Sequence, residues 1–504
     1  MPRVHLDYKT FGSLSTAVGK QLASVGVQAG DRVALILNNS VEWAALAYGA
    51  NGIGAAYTAM YTHQHGQEWA FILNDSTPSL LAVADTNVLD KLVANMPADA
   101  AKWPSCGILL MGDEEANELP PEGVTVHMWN EFVAAGREAE DFEVADDPFA
   151  LNTLIYTSGT TGTPKGVMLS HRNIASNAVA GASRLPVGPT GKALSFLPLC
   201  HSYERVCVYV YLTNGVGVYF AESMETIGDN LREVHPQVFT AVPRLLEKVY
   251  DKIMDKGKAL TGIKRGLFFW AVGLAERYEH EGLSPLYYAQ LKLARKLIFS
   301  KWQEALGGET LAVASGAAAL NPKLARIFAG AGINVQEGYG LTETSPILAV
   351  NLPTGQGHKL GTVGTAIDGV ELKLDADGEI LAKGPNVMMG YYNRPDLTAE
   401  VMTEDGWFRT GDIGEFDAEG YLRITDRKKE IFKTAGGKYI TPQAMENAFK
   451  MSPFIEQCMV AGENKKYPVL LIQPQYDFLK SWCARKNITW TTPAEMIANP
   501  VVVA

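Results

Sequence analysis

Cysteine is scarce in this chain of 504 residues: there are five, at Cys106, Cys200, Cys207, Cys458 and Cys483, with no C-x-x-C pair among them. That scatter offers neither a disulfide framework nor a zinc site, and it fits a reducing cytoplasm. Long apolar runs are missing too. The longest uncharged stretch, Trp43 to Thr62, is rich in alanine and glycine, carries Asn51, and reads as a buried helix followed by a strand. The opening Met1-Pro2-Arg3-Val4-His5-Leu6-Asp7 has no apolar core of signal-peptide length, so export is not expected. Basic clusters are absent: Lys and Arg number 44 against 55 acidic residues, the net charge is −11, and the longest basic tract is Arg427-Lys428-Lys429. Nucleic acid is therefore excluded as a partner. No internal repeat or low-complexity tract interrupts the chain. A composition of 47% hydrophobic residues is ordinary for globular protein, and the length calls for two or more domains. Peripheral membrane contact and oligomeric state stay open.

Alternation of strand and helix dominates the first two thirds. Asp31 to Leu37 reads as a strand, and Ser40 or Asn39 can cap a helix that begins near Val41-Glu42-Trp43. Such alternation implies a parallel sheet flanked by helices. An acidic stretch, Arg137 to Asp147, reads as a solvated connector. From about Pro243 to Leu306 a helical tract places Leu245, Val249 and Ile253, then Leu291, Ala294, Ile298 and Trp302, at helical spacing. Farther on, Val370 to Leu374 and Glu379 to Ala382 flank a turn, and Glu415-Phe416 and Tyr421 to Ile424 flank another, which predicts a β-rich subdomain.

The densest chemistry lies in Tyr156-Thr157-Ser158-Gly159-Thr160-Thr161-Gly162-Thr163-Pro164-Lys165-Gly166. Hydroxyl donors, glycines that let backbone approach a ligand, and one lysine are the parts of a polyphosphate cradle. It is not the common P-loop, because Lys165 follows a proline and precedes a glycine rather than opening a helix. In Gln336-Glu337-Gly338-Tyr339-Gly340-Leu341-Thr342-Glu343-Thr344, placed after a strand from Ile333 to Val335, Tyr339 offers a face to a purine. Thr342 offers a hydroxyl to phosphate, and Glu343 a hard oxygen for Mg²⁺. Asp412, leaving a turn after Gly411, can accept from both ribose hydroxyls. Cys200 and His201 are neighbours, but adjacent residues on a strand face opposite ways, so no thiol–base pair follows.

Taken together and in this order, these segments resemble the signatures of the adenylate-forming superfamily, which includes acyl-CoA synthetases, peptide-synthetase adenylation domains and luciferases. Val242-Pro243-Arg244-Leu245-Leu246-Glu247 and the helical tract behind it resemble the long-chain acyl-CoA synthetases in particular. The resemblance implies that Thr157, Ser158, Gly159, Thr160, Thr161, Gly162 and Lys165 cradle the phosphates of ATP. It places Ser315, Gly316 and Ala317 beside adenine and the acyl group, Tyr339 and Gly340 at adenine, and Thr342 and Glu343 at phosphate and magnesium. Asp412 and Arg427 match ribose contacts, His201 the lining of the carboxylate or acyl pocket, Lys429 a hinge, and Gly436 a loop passing the pantetheine arm of coenzyme A. Lys433 and Lys438 stand near enough in sequence to meet coenzyme A phosphates.

The expected fold is α/β: a large N-terminal domain of parallel sheets with a β-rich subdomain over residues 1–425, a hinge at 426–429, and a partial α+β mobile domain at 430–504. Both ends look short against the resemblance, and no residue matches the adenylation lysine that the superfamily carries beyond the strand equivalent to Val469 to Gln473. The expected reaction is ATP-dependent activation of a long-chain fatty acid, then thioesterification to coenzyme A, with weak adenylation if the chain truly ends here. Alternatives are an aryl or other acid:CoA ligase, a peptide-synthetase-type adenylation domain, and a non-catalytic nucleotide-binding remnant.

Overall fold

A computed structural model describes residues 5–112, 118–158, 163–353, 355, 357–450, 452 and 454–503. Its first sheet has eight strands. Reading across, these are Gly390–Tyr391, Pro164–Ser170, Leu151–Ser158, Ala56–Met60, Arg32–Ile36, Leu80–Val83, Ile108–Leu110 and Val126–Met128. From Leu151–Ser158 to Val126–Met128 every pairing is parallel; the two strands at the other edge are antiparallel. Arg32–Ile36, Ala56–Met60 and Leu80–Val83 are nearly continuous apolar runs because helices cover both faces of a parallel sheet. Ser40 is the cap: its hydroxyl accepts from the Trp43 amide at 3.1 Å and starts the helix Val41–Gly52. Asn39 does something else. Its side chain donates to the Leu197 carbonyl at 2.7 Å and accepts from the Leu199 amide at 2.9 Å, fastening this loop to the segment before His201.

The second sheet runs Thr365–Ala366, Ile347–Val350, Val335–Gly340, Ala312–Ser315, Val238–Ala241, Lys192–Ser195, Gly217–Phe220, parallel except at its first two strands. One face is covered by the helical tract, which divides into Pro243–Ala259, Gly262–Ala275 and Pro285–Ala294, a π-helical turn at Arg295–Phe299, and Ser300–Ala305. Leu291, Ala294 and Trp302 are buried there as their spacing predicts. Four antiparallel strands, Glu371–Leu374, Glu379–Lys383, Phe408–Phe416 and Leu422–Arg427, form the expected β-rich part. A small α+β unit follows, built on the hairpin Ile455–Ala461/Val469–Pro474 and the helices Pro442–Phe449 and Tyr476–Arg485. Arg244, at the start of Pro243–Ala259, pairs with Glu456 of that hairpin. Among the described residues no helix is long and apolar enough to cross a membrane.

The structure corrects three local expectations. The acidic connector is not merely solvated: Phe142 lies against the helices Tyr8–Ser24 and Val41–Gly52, so close that a Cβ at Gly19 would stand 2.8 Å from its ring. Cys200 and His201 precede the helix Ser202–Thr213 instead of lying on a strand. Packing rather than alternation decides that segment. Arg205, only 1% exposed, donates to the Leu199 carbonyl at 2.9 Å, the Cys200 carbonyl at 3.0 Å and the Thr153 hydroxyl at 2.9 Å, and lies over the rings of Tyr57 and Trp43. It thereby ties the second sheet's helix to the first sheet. Third, where the charged run Asp426-Arg427-Lys428-Lys429-Glu430 is expected to have no apolar, inward side, Asp426 is buried.

Removing the guanidinium orphans these acceptors in a dry environment. Arg205→Met is expected to lower stability by about 3 kcal/mol, read as a drop in the urea midpoint of the first unfolding transition. An unchanged midpoint refutes the role given to Arg205.

Candidate active site

One cleft of about 1000 Å³ collects most of the predicted residues. Leu151–Ser158 and Pro164–Ser170 pair so that Thr157 stands opposite Lys165. Gly159, Thr160, Thr161 and Gly162, on the loop joining the two strands, lie outside the described residues, as does the side chain of Ser158. Thr157 and Lys165 line the cleft. The Lys165 ammonium sits 5.1 Å from the centre of the Tyr391 ring, and the Tyr391 hydroxyl donates to Glu343 Oε1 at 2.7 Å. Burial and the neighbouring Glu343 charge push that phenol well above its ordinary pKa, so it remains a donor. Tyr391 reaches this position because Gly390–Tyr391 is hydrogen-bonded beside the lysine-bearing strand. Nothing in the spacing of the sequence announces it.

The second signature begins within the strand Val335–Gly340 rather than after a strand that ends at Val335, and the strand's register slips between Tyr339 and Gly340. Glycine is required at 340, since a Cβ there would come within 1.7 Å of the Pro346 carbonyl oxygen. The chain then tightens into the short turn Thr342–Thr344. Thr342 Oγ1 lies 3.1 Å from Ser202 Oγ, and the Met388 amide donates to the Glu343 carbonyl at 2.8 Å.

At the opposite end the Tyr339 hydroxyl donates to Asp412 Oδ2 at 2.8 Å, and Arg427 Nε stands 3.5 Å from Asp412 Oδ1. Asp412 is mid-strand, on Phe408–Phe416 directly opposite Arg427, and not just past a turn. Gly411 before it holds φ +74, which bends the strand locally without ending it. Burial raises the Asp412 pKa, while the Tyr339 hydroxyl and Arg427 pull it back.

Gly316 and Ala317 form the wall between the two ends. Ala317 holds φ +66, and a Cβ on Gly316 would meet the buried Tyr203 ring at 3.0 Å. His201 lines the cleft with its pKa lowered, first by desolvation and then by Arg205. Burial pushes the Cys200 thiol up to about 11, which removes it as a nucleophile. Lys428, Lys429 and Glu430 close the rim, and Glu379, Arg409 and Tyr203, which the motifs did not single out, also face the cleft.

Two predicted residues are not brought to the cleft. Ser315 ends its strand with its hydroxyl buried and unpartnered, in register with Glu337 on the neighbouring strand. Gly436 is exposed on the turn between Phe432–Lys433 and Tyr439–Ile440. That turn is fastened to its own unit by the Thr434 amide on the Lys438 carbonyl at 3.0 Å and the Ala435 amide on the Lys465 carbonyl at 2.8 Å.

Beneath the floor the strand Val335–Gly340 carries further polar groups. Tyr278, His280 and His358 form a chain: the tyrosine hydroxyl lies 3.2 Å from His280 Nδ1, His280 Nε2 lies 2.7 Å from His358 Nδ1, and His358 Nε2 lies 3.1 Å from the Val335 carbonyl oxygen. Because that carbonyl can only accept, the hydrogen sits on His358 Nε2; if both rings are neutral, His280 then donates to His358 Nδ1 and accepts from the tyrosine hydroxyl.

With the residues of the cleft in place, the class of the protein follows from its similarity to known families. Residues 2–392 match the AMP-binding enzyme family, and residues 430–488 match the AMP-binding enzyme C-terminal domain. The chain belongs to the AMP-binding enzymes. It is 32% identical over 523 residues to long chain acyl-CoA synthetase 6, peroxisomal, of Arabidopsis thaliana, covering 99% of this chain and 72% of that protein. Over 496 residues it is 32% identical to the long-chain-fatty-acid–CoA ligase FadD15 of Mycobacterium bovis, covering 96% of this chain and 80% of the relative. Among solved structures it resembles a Mycobacterium tuberculosis fatty acyl CoA synthetase, with a TM-score of 0.65, 23% identity, and coverage of 96% and 86% of the two chains.

Glu337 generates a pH test. Burial lifts its carboxyl from the usual 4.5 to about 8, and one oxygen has no partner. Between those values the folded chain holds a proton that the unfolded chain has released, so stability falls as pH rises through the window. Glu337→Gln is expected to flatten that fall and to stabilise the chain at neutral pH by on the order of 3 kcal/mol. Urea midpoints at acidic, neutral and alkaline pH check it; parallel pH profiles for the two proteins contradict it.

Proposed function

We propose that this chain is a long-chain fatty acid:CoA ligase that forms an acyl-adenylate from ATP and then an acyl-CoA thioester. One observation carries the reading: Lys165, Tyr391 and Glu343 at one end of a cleft, and Tyr339, Asp412 and Arg427 at the other, are set out as a nucleotide is, phosphates to ribose. The long-chain acyl-CoA synthetase relatives supply the class of acid.

In this reading Asp412 and Arg427 hold the ribose, Tyr339 and the Gly316-Ala317 wall hold the adenine, and Thr157 to Thr161 with Lys165 hold the β- and γ-phosphates. The fatty carboxylate, placed beside His201, attacks the α-phosphorus, and the bond to pyrophosphate breaks as the new P–O bond forms. Lys165 stabilises the departing charge electrostatically. Glu343 and the Thr342 hydroxyl suit Mg²⁺, a hard cation satisfied by one carboxylate and several waters. When bound it would neutralise charge on the phosphates. Tyr391 holds Glu343 in place for that task. Residues 1–425 act as the large domain, 426–429 as the hinge about Lys429, and 430–504 as the mobile unit. Rotation about the hinge would bring the Gly436 turn to the pantetheine thiolate, which displaces AMP.

Hydroxamate trapping with palmitate, octanoate, acetate, benzoate and amino acids tests the acid. Palmitate-like acids should give the product, whereas turnover of benzoate or amino acids alone overturns the fatty-acid assignment. Lys165→Met and Glu343→Gln should each slow ATP–pyrophosphate exchange by about 10²-fold. Asp412→Ala should raise KM for ATP by about tenfold and leave KM for the acid unchanged.

A further inference from the structure

Glu379 is not assigned by any motif, yet it is the most heavily engaged carboxylate at the rim of the cleft. It is 3% exposed, and its two oxygens serve different segments. Oε1 accepts from the Gly411 amide at 3.0 Å. Oε2 accepts from Lys428 Nζ at 2.8 Å and from Arg409 Nη1 at 3.2 Å. The same lysine donates its backbone amide to the Gly411 carbonyl at 2.8 Å and its ammonium to Asp377 at 2.6 Å. Gly411 is therefore gripped on both sides, its N–H by Glu379 and its C=O by Lys428. Its left-handed backbone, φ +74, is what turns Asp412 toward Tyr339 and Arg427.

Among the described residues Asp375, Asp377 and Glu379 are close enough to suggest a metal cluster. Arg409 and Lys428 already occupy it: Arg409 spans Asp375 and Glu379, and Lys428 spans Asp377 and Glu379. The cluster is a fastening for two cations: Arg409 lies on the strand that carries Asp412, and Lys428 follows directly on the strand that ends at Arg427.

We propose that Glu379 is a positioning residue that couples the nucleotide seat to the hinge. Through Oε1 it sets the bend that aims Asp412. Through Oε2 it anchors Lys428, the residue next to Lys429, so the segment about which the small unit turns is fixed to the same carboxylate that sets the ribose contact. Nucleotide occupancy and hinge position thus share one side chain. This inference rests on the nucleotide reading given above and goes beyond it in naming the link between the two parts.

Three variants of the full chain separate the roles. Calorimetric titration with AMP should show that Glu379→Ala weakens binding by about tenfold. Glu379→Gln, which keeps an oxygen for the Gly411 amide, should lose less. Lys428→Met should change AMP affinity by less than about threefold but speed tryptic cleavage after Arg427 and Lys429, and saturating AMP should slow that cleavage only when Glu379 is intact. In a cycle with Asp412→Ala, the double variant should bind AMP no worse than Asp412→Ala alone, because Glu379 acts through Asp412. Additive losses, equal weakening by Ala and Gln, or AMP protection that persists in Glu379→Gln would overturn the coupling. Absence of AMP and ATP binding by the unsubstituted chain would overturn the nucleotide reading, and this inference with it. Normal binding by the unsubstituted chain and by Glu379→Ala alike would overturn this inference alone.

Discussion

A buried guanidinium, beside the Asn39 bonds to Leu197 and Leu199, fastens the two large sheets to one another. Arg205 has spent its donors on two carbonyls of the segment just before its own helix and on a threonine of the first sheet, with aromatic rings above it. A lysine could not do this, because the planar fork reaches three oxygens at once and tolerates ring faces. Everything that meets at the cleft depends on it. Thr157 and Lys165 belong to strands of the first sheet, while the strand Val335–Gly340 belongs to the second. His201 and Ser202 stand where they do because the carbonyls of Leu199 and Cys200 are pinned beneath them.

What joins the two ends of the cleft is less a set of ligands than a set of tyrosines. Tyr391 connects the Lys165 ammonium to the carboxylate of Glu343, and Tyr339 connects its own strand to Asp412. In both, a phenol kept protonated by burial donates to a carboxylate and leaves that carboxylate's remaining lone pairs for a ligand. The acids are thereby oriented before anything binds, which lowers the ordering cost of binding.

Much of this was legible from residue types in order. The Ser40 cap, the largely buried run Trp43 to Thr62 and both hairpins all follow from local pattern, and local pattern is what a sequence displays. The failures have a common cause. Asp412 was placed after a turn because Gly411 usually means one, whereas here antiparallel pairing on both sides carries the strand through the glycine. Tyr391 and Glu379 were missed because each becomes functional only by a pairing across the sheet, with Lys165 and with Gly411, over separations that no periodicity records. Cys200 and His201 were given a strand's geometry, but a tertiary contact from Arg205 draws the segment into a loop. Gly436 is correctly a turn glycine, and its distance from the cleft reflects where the small unit is docked, which side-chain chemistry alone does not encode.

The strand Val335–Gly340 has an acid edge and an alkaline edge. His358 lies within hydrogen-bond distance of its first carbonyl, and burial lowers the pKa of both His358 and His280, so protonation below their usual range favours the unfolded chain. Two residues on, Glu337 favours the unfolded chain when pH rises toward about 8. The strand is therefore opposed by acid on one side and by alkali on the other, through groups buried on it and against it.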